Sequence, residues 1–178
     1  MNKVLIVDDD PALVEFLKLL LESEGYETEE ASDGAMALDR MTGFGPEVVL
    51  LDYMMPNMDG LDVLRNVARN FGTSFVVMLT GKGSEEVAVE CMKAGAVDYV
   101  VKPFDNDRLI SVVRNAFRFR EAELQKRAIM KEINEKREHW QSLIREASEL
   151  LSELKPADPS NRIAQAISLL SRLRDDLE

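Results

Sequence analysis

Four short apolar runs in the first hundred residues each end in a polar side chain that could do chemistry. These are Asp8 after Lys3–Val7, Asp52 after Val48–Leu51, Thr80 after Ser74–Leu79 and Lys102 after Tyr99–Val101. Asp9 and Asp10 directly follow Asp8, so the first run ends in three consecutive carboxylates. Carboxylates gathered in one place repel one another and are costly to remove from water unless a cation compensates them.

These groups suit a site that binds a metal ion and a phosphoryl group. Mg²⁺ binds through a few carboxylate oxygens and keeps several of its waters. A metal ion, the ammonium of Lys102 and the hydroxyl of Thr80 around one carboxylate would clamp a phosphoryl group. Asp52 would then be the nucleophile and form an aspartyl phosphate. Any one of these residues alone is weak evidence; their joint position at strand ends carries the hypothesis.

The elements that must position these groups alternate between apolar runs and helical patterns. Five such runs occur within about 105 residues, separated by segments with apolar residues at helical spacing. The order predicts an α/β fold with a doubly wound, five-stranded parallel sheet covered by helices on both faces. In such sheets ligands bind beyond the carboxyl ends of the strands, where the polar side chains are expected.

Composition limits the classes of protein that need consideration. The chain has 178 residues and a formal net charge of −11, with 46% hydrophobic residues and a single cysteine. Residues 1–106 hold 8 Lys+Arg against 20 Asp+Glu, a net of −12, whereas residues 107–178 hold 14 against 13, a net of +1. This acidity argues against nucleic-acid binding. The lone Cys91 and the lack of a long apolar run predict a cytoplasmic protein without membrane insertion.

Four segments together closely resemble the receiver domain of two-component response regulators. They are VLIVDDD (4–10), VVLLDYMMPNMDG (48–60), VVMLTGKG (76–83) and AGAVDYVVKPF (94–104). The resemblance covers about residues 2–120 and includes the hallmark motifs in order. It implies a flavodoxin-like sheet with strand order 2-1-3-4-5.

The resemblance also implies roles for individual residues. Asp52 corresponds to the phospho-acceptor, Asp9 to a direct Mg²⁺ ligand and Asp8 to its acidic partner acting through water. The backbone carbonyl of Met54 corresponds to a further metal ligand, so that Asp8, Asp9, Asp52 and Met54 form the expected metal set. Mg²⁺ is the expected cofactor.

Two further residues match the family's phosphoryl contacts, and one matches its switch. Lys102 and Thr80 correspond to groups that contact the phosphoryl oxygens. Tyr99 corresponds to the aromatic switch residue, three positions before the lysine, that rotates when Thr80 moves inward. The segment 56–60 corresponds to the turn that shapes the site. No catalytic activity is expected beyond the protein's own phosphorylation and dephosphorylation chemistry.

The remainder of the chain has a helical pattern without a familiar output domain. No glycine or proline occurs between Phe104 and Pro156, which predicts one helix from about 107 to 154, continuous with the last receiver helix. Apolar residues at 3-4 spacing along it predict a coiled-coil seam. A turn over 155–161 and a final helix would complete a helical hairpin that pairs in a homodimer. The predicted domains are thus 1–120, the receiver, and 121–178, the helical coiled-coil or hairpin extension.

These inferences predict a phosphorylation-activated response regulator. It would accept a phosphoryl group on Asp52 from a histidine kinase or phosphotransfer protein and change dimerisation or binding of an unidentified protein partner through the helical tail. Two alternatives remain open: the chain is the first part of a larger signalling enzyme, a kinase or cyclase, or it is a DNA-binding regulator. An internal phosphotransfer role for His139 is disfavoured because its surroundings do not resemble those of a kinase histidine.

Overall fold

The computed structural model describes residues 2–56, 58–81, 85–153, 163–164 and 167–168. Its elements alternate along the chain until a long last helix. They are β1 (Lys3–Val7), α1 (Pro11–Ser23), β2 (Glu27–Ala31), α2 (Gly34–Gly43), β3 (Val48–Asp52), α3 (Gly60–Asn70), β4 (Phe75–Thr80), α4 (Glu85–Ala94), β5 (Asp98–Val101) and α5 (Asn106–Glu153).

The five strands form one parallel sheet in the order β2-β1-β3-β4-β5, which confirms the predicted α/β fold and strand order. The three central strands are buried along their length apart from Lys3, and β2 at the edge is more exposed, as its polar sequence predicts. Buried strands with continuous apolar sequence are typical of a parallel sheet covered on both faces.

Alternate side chains of each strand pack against different helices. One face carries Val4, Ile6 and Leu50 in a cluster with side chains of α1 and α5, such as Leu17 and Leu109. The other face packs against α2, α3 and α4. The buried side chains of this cluster include Leu5, Val7, Val49, Leu51, Leu64, Met78 and Cys91. This alternation follows from the two-residue period of a strand and leaves the strand ends for polar groups.

Helix starts follow the local signals in the sequence. The side chain of Asp10 accepts hydrogen bonds from the backbone of Ala12 and Leu13, with Pro11 at the first helical position. Asp59 caps α3, and the side chain of Asp105 accepts from the backbone amide of Arg108 at the start of α5. Asp105 therefore caps α5.

Helix α5 runs without interruption from Asn106 to Glu153, as the pattern predicts. Contacts divide the chain into two compact units, 1–124 and 125–178, and α5 contributes to both. The domain boundary near residue 120 and the homodimer stay predictions, and the predicted turn and most of the final helix lie outside the described residues. Within the part that the structure describes, no helix is both long and apolar enough to span a bilayer.

In the first unit, α5 is attached by specific contacts as well as by its apolar face. Phe117 stacks on Tyr26, with ring centroids 5.4 Å apart. Arg120 donates from Nε to the backbone carbonyl of Thr73 at 2.7 Å, and its Nη1 lies 2.9 Å from a carboxylate oxygen of Glu47. These contacts fix the helix against the amino-terminal ends of the central strands.

Gly60, the first residue of α3, packs directly on the backbone at the end of β3. A Cβ at this position would meet the carbonyl oxygen of Asp52 and lie 3.0 Å from Cα of Tyr53. We expect Gly60→Ala to lower the free energy of unfolding by about 1–3 kcal/mol, because the backbone must shift to admit the methyl group. Urea unfolding followed by circular dichroism measures the change.

Gly43→Ala is the matched control for this substitution. No atom lies within 4 Å of a Cβ built at Gly43, which ends α2. Its replacement should be neutral or stabilising by up to about 1 kcal/mol. Equal stability of the two variants would contradict the close approach at Gly60.

Candidate functional site

Strand register brings the polar residues of four separate segments to one edge of the sheet. Val7 pairs with Leu51 and Asp52 with Leu79, so Asp8 follows β1 at the level where Asp52 ends β3. Thr80, the last residue of β4, pairs with Val101, and Lys102 follows immediately. The carboxyl ends of parallel strands thus place all four predicted groups on the same side, as expected.

Three carboxylates converge at this edge. Asp8, Asp9 and Asp52 each offer an oxygen, and these oxygens lie within 4.8 Å of one another. Asp8 and Asp52 are only 2% and 5% exposed, whereas Asp9 is exposed. An all-oxygen donor set with one solvent-facing member fits a hard cation that retains waters, such as Mg²⁺.

The ammonium of Lys102 is shared between two of these carboxylates. Its Nζ lies 2.6 Å from Oδ2 of Asp8 and 2.6 Å from Oδ1 of Asp52. The backbone amide of Lys102 donates to the carbonyl of Thr80 at 2.7 Å, which holds the residue at the end of the sheet. Among the described residues, this lysine therefore supplies the one positive charge in contact with both buried carboxylates.

Backbone amides orient the remaining carboxylate oxygens. The amide of Asp10 donates to Oδ1 of Asp8 at 3.0 Å, and the amide of Met54 donates to Oδ2 of Asp52 at 2.9 Å. Each buried aspartate therefore has one oxygen on Lys102 and the other on a backbone amide. These contacts fix the direction of both side chains.

Burial dominates the electrostatics of Asp52. Desolvation raises the pKa of its carboxyl above the ordinary value of 3.8; Lys102 acts in the opposite direction, and Asp8 adds to the rise. Burial alone would lower the pKa of Lys102, but hydrogen bonds and charges from Asp52 and Asp8 outweigh it and raise that pKa. The two directions are consistent, because one ammonium faces two carboxylates. Lys102 is stabilised by two negative charges, whereas Asp52 shares one positive charge with Asp8.

The other predicted residues lie around this centre in different ways. Thr80 is buried at the end of β4, and Tyr99 is half-buried on β5, packed against the cluster that covers the α3 and α4 face. Met54 has an exposed side chain, and its backbone amide contacts Asp52. Metal binding by its carbonyl, and the roles of all these residues, stay predictions. Asn57, within the turn 56–60, lies outside the described residues.

A cavity opens beside the carboxylates. Its volume is about 340 Å³, and its lining includes Asp8, Asp9, Glu15 and Arg40. The cavity therefore borders two of the three converging carboxylates, those of Asp8 and Asp9.

Sequence reasoning passed over Tyr53, the residue after Asp52. Burial and the nearby carboxylates of Glu90 and Asp59 raise the pKa of its hydroxyl. Tyr53 follows β3 and Glu90 belongs to α4, so this electrostatic influence relates two separate elements. The position of Tyr53 next to Asp52 is the only sequence signal that could have indicated it.

Comparison with known proteins gives one consistent result. A family model described as the response regulator receiver domain matches residues 4–114. The DNA-binding response regulator MtrA of Mycolicibacterium smegmatis is 41% identical over 122 residues, which are 68% of this chain and 53% of that protein. The regulatory protein AtoC of Escherichia coli is 38% identical over 115 residues, 65% of this chain and 25% of that protein. The chain thus spans about half the length, or less, of these curated relatives.

Solved structures agree with the sequence relatives. A CheY-like response regulator receiver domain protein from Methanospirillum hungatei superposes with a TM-score of 0.66 at 31% identity, over 69% of this chain and 98% of that one. NtrX from Brucella abortus superposes with a TM-score of 0.67 at 33% identity, over 70% of this chain and 29% of that one.

The raised pKa of Asp52 predicts a pH-dependent gain in stability for Asp52→Asn in metal-free protein. Because ionisation is harder in the folded state, the contribution of Asp52 to stability falls as pH rises from about the ordinary value, 3.8, through the folded-state pKa. The amide variant avoids this loss. Its stability advantage over wild type in urea unfolding with EDTA should grow as the pH rises from about 3.8 and should level off above the folded-state pKa.

Asp10→Asn is the matched control, because asparagine caps a helix about as well as aspartate. The difference in unfolding free energy between Asp10→Asn and wild type should not grow comparably over the same pH series. An Asp52→Asn variant less stable than wild type at neutral pH would contradict the dominance of burial at this carboxyl.

Proposed function

The chain belongs to the response regulator receiver domain family, and on this basis we propose that Asp52 accepts the phosphoryl group that activates it. Phosphorylation-activated signalling in a two-component system is the function of this family. The observation that carries the assignment is the contact of Lys102 with both Asp8 and Asp52 beside the three converging carboxylates. Asp52 is the one member of this cluster that ends a central strand.

In the proposed reaction, a carboxylate oxygen of Asp52 attacks the phosphorus of a phosphohistidine on a histidine kinase or phosphotransfer protein. A P–O bond forms, the P–N bond breaks, and the released imidazole nitrogen takes a proton from water. Lys102 balances charge that develops on the phosphoryl oxygens. Small donors such as acetyl phosphate would react in the same way, with acetate leaving, so we propose self-phosphorylation but no activity on another substrate.

The proposed cofactor is Mg²⁺. Asp8, Asp9 and Asp52 would hold it, with the backbone carbonyl of Met54 as a further ligand. When bound, the ion neutralises the carboxylates and polarises a phosphoryl oxygen. The chain's own contribution is to orient Asp52 through the amide of Met54 and to keep the ammonium of Lys102 beside it.

We propose that Thr80 and Tyr99 communicate the reaction to α5. Leu79 precedes Thr80, and Val100 follows Tyr99. Both pack in the cluster that contains Leu109 of α5. An inward movement of Thr80 toward a phosphoryl group would change the packing of β4 and β5 against this helix. The proposed output is a change in homodimerisation, or in binding of a further protein, through the helical tail. We propose a cytoplasmic location.

DNA binding is the second candidate for the output, because the MtrA relatives carry that activity in their names. The balanced charge of residues 107–178, a net of +1, is the observation against it in this chain. A mobility-shift assay across a range of salt concentrations distinguishes the two outputs. Binding that weakens steeply with salt would favour DNA as the partner.

Acetyl phosphate labelling tests the assignment of Asp52. With Mg²⁺, wild type should gain one phosphoryl group by mass spectrometry, and Asp52→Asn should gain none. Lys102→Met should slow labelling by about tenfold or more, since a fixed charge at the transferred group is lost. Asp10→Asn should label like wild type. Labelling of Asp52→Asn, or none of wild type, would overturn the assignment.

Beryllofluoride with Mg²⁺ tests the coupling between site and tail. It mimics an aspartyl phosphate, and we expect the dimer dissociation constant to change by about fivefold or more, the range of ordinary allosteric coupling. Analytical ultracentrifugation measures the constant, and hydrogen exchange over 125–149 reports the helix. Asp52→Asn is the control that should not respond. No change in wild type by either method would exclude this coupling.

A further inference from the structure

Helix α5 presents an apolar stripe in the second unit. We define the seam as seven positions with 3-4 spacing: Lys126, Ile129, Ile133, Lys136, Trp140, Leu143 and Ala147. Ile129 and Ile133 are 58% and 52% exposed, and Trp140, Leu143 and Ala147 are partly covered. Exposed isoleucines at this spacing are typical of a helix that packs against another helix.

We propose that this seam pairs with the same seam of a second copy as a parallel, in-register, two-stranded coiled coil. The inference rests on the proposed dimerisation through the helical tail and adds its orientation and register. A seam repeating every seven residues over four turns or more is self-complementary, as a twofold-symmetric pair requires.

Charges beside the seam select the parallel orientation. One flank carries Glu132, His139 and Glu146, and the other carries Arg137. In a parallel pair, a residue on the first flank meets the residue five positions further on in the second copy, so Glu132 faces Arg137. In an antiparallel pair the flank with Glu132 and Glu146 would face itself, with repulsion between glutamates. The parallel arrangement therefore provides one matched pair, Glu132 with Arg137, and avoids that repulsion.

The two lysines set the register and limit the strength of the pair. In register, Lys136 lies opposite Lys136 of the second copy, within a seam that is otherwise apolar on both sides of it. A lysine at such a position specifies register at a cost in stability. The exposed carboxylate of Glu132, 3.0 Å from Nζ of Lys136, reduces this cost without removing it. The pair should therefore be weak and reversible, as a signalling output requires.

Replacing the seam lysine tests the contact surface. Lys136→Leu should tighten the dimer by at least about tenfold in analytical ultracentrifugation of the full chain. Lys131→Leu is the matched control: Lys131 also has a glutamate four residues away, Glu135 at 3.7 Å, but lies on the opposite side of α5 from the seam. It should change the constant by less than about twofold. Equal effects of the two substitutions, or no tightening by Lys136→Leu, would overturn the seam.

Variants that each add one cysteine to the seam test the orientation. In register, Ile129→Cys and Lys136→Cys should both form disulfide-linked dimers on oxidation, because each cysteine meets its own copy. These positions are about 10 Å apart along the helix, so an antiparallel pair can bring only one of them within the roughly 7 Å between Cα atoms that a disulfide spans. Wild type, whose Cys91 is buried, and Lys131→Cys should stay uncross-linked.

Cross-linking is measured with and without Mg²⁺ and beryllofluoride, and each variant is also labelled with acetyl phosphate. Cross-linking at both seam positions in either condition supports the inference. Cross-linking at one position, at neither, or equally at Lys131→Cys overturns it. If the seam variants fail to cross-link but are labelled normally by acetyl phosphate, the proposed phosphorylation of Asp52 stands and the pairing does not. If wild type is not labelled, the phosphorylation is refuted and the pairing is not.

Discussion

The site depends on one ammonium that is shared by two buried carboxylates. Asp8 and Asp52 lie at the ends of adjacent strands and cannot both be charged cheaply in a buried setting. Lys102 contacts both at 2.6 Å, yet the pKa of Asp52 remains raised. Two buried carboxylates and one ammonium leave net negative charge, which is the physical reason that a cation is expected among Asp8, Asp9 and Asp52.

The parallel sheet makes this arrangement from segments that are far apart in sequence. Lys102 is 94 residues from Asp8 and 50 from Asp52, and only the strand order brings them into contact. Backbone groups then orient the carboxylates, and Gly60 lets the start of α3 approach the end of β3. Site and fold are inseparable here, because the polar side chains that meet at this edge end, or directly follow, the strands that form the core.

Helix α5 is the element that would relate this site to the proposed output. Its first turns are part of the core that includes Leu79 and Val100, neighbours of the proposed switch residues Thr80 and Tyr99. Arg120 and Phe117 attach the helix to the opposite end of the sheet. Beyond residue 124 the helix carries exposed isoleucines. The proposed pairing would be weakened by the lysines among them, so that a modest change in packing energy could alter the proposed oligomeric state.

Most of the receiver fold could be predicted from the sequence, because apolar runs, helical spacing and caps are local signals. Asp8, Asp52, Thr80 and Lys102 were identifiable because each follows or ends such a run. The sequence could not show that Lys102 contacts both carboxylates, or that Glu90 influences the pKa of Tyr53, since these depend on distances between separate elements. Residue types and order determined the edge at which the polar groups meet; the tertiary structure decided the pairing of their charges, because burial and distance set those energies.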